Sequence, residues 1–202
     1  MLMAVFCLGA SLIGINAQEK DWANLQRYAQ QNAELPKPDK NEKRVVFMGN
    51  SITEGWVNTH PDFFKSNGYI GRGIGGQTSY QFLVRFREDV INLSPALVVI
   101  NAATNDIAEN TGAYHEDRTF GNIVSMVELA KANHIKVILT TTLPAAAFGW
   151  NPSIKDAPQK IASLNARLKA YAQTNKIPFV DYYSSMVSGS NKALNPAYTK
   201  DG

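Results

Sequence analysis

An α/β fold, an open parallel sheet with helices on both faces, is what this sequence predicts. Three observations predict it. Strand-like apolar runs alternate with amphipathic helical stretches from residue 44 onward. Two of those runs, ALVVINA (96–102) and IKVILTTTL (135–143), are almost uninterrupted, as strands buried on both faces require. The chain has 202 residues, 45% of them hydrophobic, which suits one domain with a sizeable core.

The elements follow in order. Residues 2–17, LMAVFCLGASLIGINA, form an apolar run of signal-peptide length that ends in Ala17 before polar QEKDW. The run is short for a membrane span, which needs roughly 20 apolar residues. No basic stretch precedes it, and an apolar helix packed on the domain is the alternative reading. Residues 1–17 are therefore expected to act as a signal peptide, giving a secreted or periplasmic protein with no stable membrane span. Cys7 is the sole cysteine and follows Ala4-Val5-Phe6, which make no convincing lipobox. One cysteine also excludes an internal disulfide framework and any zinc-type cysteine spacing.

Residues 18–43 read as an N-terminal helix and linker. In DWANLQRYAQQNAEL, Trp22, Leu25, Tyr28 and Ala29 recur at helical spacing, and Pro36-Lys37-Pro38 ends the helix. The main domain is expected over 44–202. RVVFMG (44–49) is its first strand and YIGRGI (69–74) its second. SYQFLVRFREDVINL (79–93) is a helix with Phe82, Leu83, Phe86, Val90 and Leu93 on one face. After the strand at 96–102 come a helix over 120–134, the strand at 135–143 and a helix over 156–175. That last helix turns Ile161, Leu164, Leu168 and Tyr171 inward, and IPFVDYYS (177–184) is the fifth strand. Net charge is only +3, from 20 basic and 17 acidic residues, with no basic cluster longer than Lys43-Arg44. That excludes a nucleic-acid footprint.

In open α/β sheets, ligands bind outside the carboxyl ends of the strands. The residues there are Ser51 after the first strand, Gly75-Gly76-Gln77 after the second, Thr104-Asn105-Asp106 after the third, and Leu143-Pro144 after the fourth. A serine after a strand is ordinarily a turn residue or helix cap. Acyl transfer also needs donors where the tetrahedral oxyanion develops, and a base oriented by a third group. Gly76 lets its backbone N–H approach a substrate closely, and Asn105 offers a side-chain amide. GRGIGG (71–76) spells a dinucleotide-binding fingerprint, but it follows the second strand, and Glu88 and Asp89 fall inside the next helix, so nucleotide binding is not expected. Asp106 lacks companion carboxylates and is expected to hold its loop, as are Asn101 and Thr104. GNSIT is not the G-x-S-x-G elbow of α/β-hydrolases.

With those residues in view, the chain resembles the SGNH/GDSL hydrolase family, in its acetylhydrolase-like esterase branch. FMGNSITEGW resembles the first family block, with Asn50 where Asp is commoner; RGIGGQTSYQFLVR resembles the second, INAATNDI the third, and YTKDG (198–202) the start of the last. The resemblance implies a flavodoxin-like three-layer α/β/α sandwich with a five-stranded parallel sheet. It implies Ser51 as nucleophile and oxyanion donor, Gly76 and Asn105 as further donors, and Asp201 as the acid orienting a histidine. That histidine falls two positions past Gly202, so the chain is expected to be truncated before its general base and inactive as it stands. His60 and His115 are weak substitutes, and His134 is expected at the surface. The implied function is hydrolysis of carboxylic, in first place acetyl, esters through an acyl-serine intermediate, without cofactor or metal. The substrate is a small-molecule or carbohydrate ester, with Trp56 and Trp150 as candidate substrate-binding aromatics. A non-catalytic glycan-binding module on the same scaffold is the alternative.

Overall fold

A computed structural model describes residues 21–199. The expected signal segment and Asp201 lie outside the described residues. A helical turn, Leu25–Arg27, leads into α1 (Ala29–Glu34). There follow β1 (Val45–Gly49), α2 (Ser51–Thr59), α3 (Pro61–Ser66), β2 (Tyr69–Gly73), α4 (Ser79–Asp89), β3 (Leu97–Ile100) and α5 (Thr104–Ile107). Next come α6 (Glu116–Ala132), β4 (Lys136–Thr140), α7 (Ala157–Thr174), β5 (Phe179–Val180) and α8 (Tyr182–Met186), then a hairpin of β6 (Val187–Ser188) and β7 (Ala193–Leu194).

All five expected strands form, and they join in one parallel sheet of order β2-β1-β3-β4-β5. The chain adds β2 on one side of β1 and then crosses to add β3 on the other. The strand order therefore reverses between β1 and β3, and a crevice opens at their carboxyl ends. Asn101 continues the β1–β3 pairing past the strand, donating its N–H to the Met48 carbonyl at 3.0 Å.

The two faces of β1 feed different layers. Val46 and Met48 are fully buried in the main core with Phe82 and Phe86 of α4 and Ile123, Met126 and Val127 of α6. Phe47 points the other way into an aromatic cluster with Trp56, Phe64 and Tyr69, at centroid distances of 5.3–5.5 Å. Period-2 alternation thus separates an aliphatic layer from an aromatic one. On the aromatic side a cavity of about 540 Å³ remains between α2, the sheet and the 182–198 segment.

Three expectations are adjusted. The fifth strand stops at Val180 instead of running to 184, because Asp181 Oδ1 accepts the Ser184 N–H at 2.9 Å and starts α8. Helix α6 begins at Glu116 rather than at 120, with Glu116 and Asp117 at its positive end. The 21–35 stretch is two pieces rather than one helix. They meet at Tyr28, whose ring is buried and whose hydroxyl donates to the Gly73 carbonyl. A tertiary contact overrides local helical period there.

Candidate active site

Ser51 is the first residue of α2, at the carboxyl end of β1. Asn50 caps the helix: its Oδ1 accepts the Ile52 N–H at 3.0 Å. The Ser51 N–H therefore has no intrahelical acceptor and points from the positive end of a nine-residue helix. Ser51 is exposed, whereas Asn50 is only 1% exposed.

The turn after β2 comes up beside it. A Cβ on Gly75 would lie 3.8 Å from Ser51 Cβ. The two glycines of the turn differ in what their N–H groups do. Gly75 donates to Glu54 Oε2 at 2.8 Å. The Gly76 N–H has no acceptor among the described residues. Gly76 also adopts φ +74, a conformation costly for a residue with a side chain. Thr78 and Gln81 then form a capping box that starts α4.

Asn105 comes from the short helix after β3 and is 4% exposed. Its Nδ2 donates to the Gln77 carbonyl at 2.9 Å, which spends one amide hydrogen and leaves the second. The turn that delivers it is tight: Ala103, buried, takes φ +84. Asp106 beside it faces away, accepting from Ser79 N at 2.9 Å, from Ser79 Oγ, and from Thr119 Oγ1 at 3.2 Å. Burial pushes its carboxyl above the usual range, opposed by those hydrogen bonds. Its expected loop-holding part is what these contacts do. Asn101, also expected to hold this turn, donates to Thr140 Oγ1 at 2.7 Å.

The strand ends thus bring Ser51, Gly76 and Asn105 to one edge of the sheet. Trp150 stands over the same region, 59% exposed, and its indole N–H donates to Asn110 Oδ1 at 2.9 Å. Trp56 lies elsewhere. Its ring stacks on Phe63 at 5.4 Å and meets Phe47 and Phe64 edge-on, on the wall of the 540 Å³ cavity. His60 and His134 stand away from Ser51. His60 caps the far end of α2, nine residues from Ser51 and so about 13 Å along the axis. His115 precedes α6, and His134 follows it at the amino-terminal edge of β4. Among the described residues, no group of three or more His, Cys, Asp or Glu side chains is arranged to hold a metal ion.

Several residues that shape the site carry no sequence signal. Arg85 is fully buried and bonds Asp89 at 2.8 Å, Gln77 Oε1 at 2.6 Å, and the Gly49 and Arg72 carbonyls at 3.0 and 2.8 Å. It ties the ends of β1 and β2 to the glycine turn. Glu54 takes the Gly75 N–H and pairs with Arg27 at 3.1 Å. Asn110 grips the Gly76 carbonyl at 3.0 Å. The Arg85–Asp89 pair has ordinary i,i+4 helical spacing, but the contacts to Gly49, Arg72, Gly75 and Gly76 join residues from different elements, so neither spacing nor period could announce them.

Comparison with known proteins bears on the family and the fold. Residues 47–201 match the model of the GDSL-like Lipase/Acylhydrolase family. The crystal structure of a GDSL-like lipase from Bacteroides thetaiotaomicron VPI-5482 is 78% identical, covering 89% of this chain and 88% of that one, with a TM-score of 0.88. The uncharacterized lipoprotein YqeF of Bacillus subtilis (strain 168) is 32% identical over 117 residues, 50% of this chain. The match spans 48% of YqeF, about half that protein's length. An acetylxylan esterase from Geobacillus stearothermophilus, Axe2, is 18% identical with a TM-score of 0.55, over 77% of this chain and 88% of that one; it shares the fold. A five-stranded parallel sheet of this topology and a family match running from β1 past the last described residue lead to one conclusion: the chain belongs to the GDSL-like lipase/acylhydrolase family.

Proposed function

We propose that this protein is a serine esterase that removes acyl, in first place acetyl, groups from carbohydrates. Ser51 Oγ attacks the ester carbonyl carbon and passes its proton to a general base. The base in this reading is the histidine that the Asp-x-x-His pattern puts three positions after Asp201, with Asp201 orienting it. The carbonyl oxygen becomes an oxyanion and accepts from the Ser51 N–H, the Gly76 N–H and the spare hydrogen of Asn105 Nδ2. Collapse expels the sugar hydroxyl with the proton from the base and leaves acyl-Ser51. Water, deprotonated by the same base, then attacks the acyl carbon and releases the carboxylic acid and free serine.

One observation carries this reading. Ser51 and Gly76 keep their N–H groups unspent at the carboxyl edge, while the competing Gly75 N–H is taken by Glu54. Preorganised donors of that kind are the largest single source of acyl-transfer catalysis. The carbohydrate part rests on the exposed Trp150 ring and on the acetylxylan esterases among proteins of this fold. Trp56, engaged by aromatic neighbours, is assigned to packing. Export through residues 1–17 belongs to the same proposal; no described helix is long and apolar enough to cross a membrane.

The test is turnover of p-nitrophenyl acetate by the full-length protein beside Ser51→Ala and Asn105→Ala. Ser51→Ala is expected to lose all turnover above background, and Asn105→Ala about 100-fold or more in kcat. Equal rates for wild type and Ser51→Ala would sink the nucleophile assignment and favour a glycan-binding module.

A further inference from the structure

The amide of Asn110 faces two ways. Its Nδ2 donates to the Gly76 carbonyl at 3.0 Å, and its Oδ1 accepts the Trp150 indole N–H at 2.9 Å. Its backbone N–H donates to the Asn105 carbonyl at 3.0 Å. One residue therefore touches the glycine whose N–H is a candidate oxyanion donor, the asparagine that is another, and the aromatic ring exposed above them. Gly76, with φ +74 and no side chain, has no rigidity of its own. Asn110 fixes the peptide plane on the carboxyl side of Gly76 and Glu54, through the Gly75 N–H, the plane before Gly75, so the two hold the turn that presents the Gly76 N–H from both sides.

The other side of the contact is built as well. Asn151, next to Trp150, donates to the Ala108 carbonyl at 2.8 Å, so the loop after β4 is tied twice to the loop after β3. Phe148, 2% exposed, supports the indole at a centroid distance of 5.2 Å. Because Asn110 takes the only polar atom of the Trp150 ring, the exposed face is left to apolar stacking.

We infer that Asn110 is a positioning residue, which sets the oxyanion turn with its amide nitrogen and the Trp150 stacking platform with its amide oxygen. The platform takes the sugar ring of an acylated carbohydrate, so recognition of the leaving group and stabilisation of the oxyanion share one side chain. This inference rests on the hydrolase reading above. Asn110 itself touches no reacting atom.

The two ends of the amide are separable. Asn110→Ala removes both contacts. Asn110→Asp keeps an oxygen for the indole but puts a carboxylate against the Gly76 carbonyl. In the full-length protein, kcat and KM are measured on p-nitrophenyl acetate and on acetylated xylo-oligosaccharides. Asn110→Ala is expected to lower kcat about tenfold on both esters, as a misdirected donor does. It should also raise KM on the sugar ester as much as Trp150→Ala does, with no further rise in the double variant. Asn110→Asp should lower kcat similarly while keeping KM on the sugar ester near wild type. A second readout needs no turnover: the Trp150 indole signal in a ¹H–¹⁵N spectrum, identified by its loss in Trp150→Phe. It should shift in Asn110→Ala and stay in Asn110→Asp. An unchanged kcat and an unmoved indole signal in Asn110→Ala overturn the inference, as does Asn110→Asp matching Asn110→Ala in every parameter. If Ser51→Ala hydrolyses both esters like wild type, the hydrolase reading has failed instead. The indole signal alone then decides whether Asn110 holds the platform.

Discussion

Next to Asn105, the buried Asp106 joins α5 to Ser79 at the head of α4 and to Thr119 in α6. Burial pushes its carboxyl above the ordinary range, outweighing the hydrogen bonds that oppose it. The folded state therefore holds this proton more tightly than the unfolded chain does. The stabilising effect of that proton is fully present below the ordinary aspartate pKa and is lost as pH rises through the raised folded value. Asp106→Asn should flatten the fall in unfolding free energy across that window, measured by urea denaturation at stepped pH. An identical slope in the variant would assign the pH dependence to another group. Asn105 was legible as an amide after a buried strand, and Asp106 as its loop-holding neighbour. Ala103 was not, since nothing about alanine announces φ +84; the surrounding turn imposes it.

At the scale of elements, α4 shows what helical period can and cannot reveal. Phe82 and Phe86 recur on one face of α4 and are buried as that spacing implies, and Val90 and Leu93 are buried just beyond it, because the expected helix over 79–93 stops at Asp89 and gives way to a helical turn at Ile91–Leu93. Arg85 falls among them, and only the fold shows that its guanidinium reaches Gly49, Arg72 and Gln77. Replacing it with methionine keeps much of the volume but leaves Asp89 buried without its ion pair and two carbonyls without that donor. Breaking a buried pair from one side costs about 3–5 kcal/mol, so Arg85→Met should show a loss of that order in urea denaturation. A change below about 1 kcal/mol would mean that solvent or a rearranged side chain satisfies those groups.

At the scale of the whole molecule, residues 21–35 strap the amino-terminal segment across the turn that carries Gly76. Gln77 and Gln81 donate to the Ala23 and Trp22 carbonyls at 2.6 and 2.7 Å, Arg27 pairs with Glu54, and Tyr28 reaches Gly73. Asn32 links Asp89 at 2.7 Å and Arg72 at 2.9 Å. A chain beginning at Pro36 loses all of these at once. At about 1 kcal/mol for each hydrogen bond and 2–4 °C per kcal/mol, its Tm should drop by about 10 °C or more. Scanning calorimetry of the shortened and full chains checks this, and an unchanged Tm would reduce the strap to a surface decoration.

What the sequence alone determined was the order of strands and helices and which residues stand at the strand ends. Hydrophobic period is a local property, so five strands, three long helices and the positions of Ser51, Gly76 and Asn105 could be read from neighbouring residues. Tertiary structure decided which N–H groups stay unspent, where the tryptophans stand, and which side chains hold the turns. Glu54 consumes the Gly75 N–H, Asn110 joins Gly76 to Trp150, and Trp56 turns into the aromatic layer. Those outcomes depend on partners tens of residues away, whose approach is set by the strand order β2-β1-β3 and its reversal at the site.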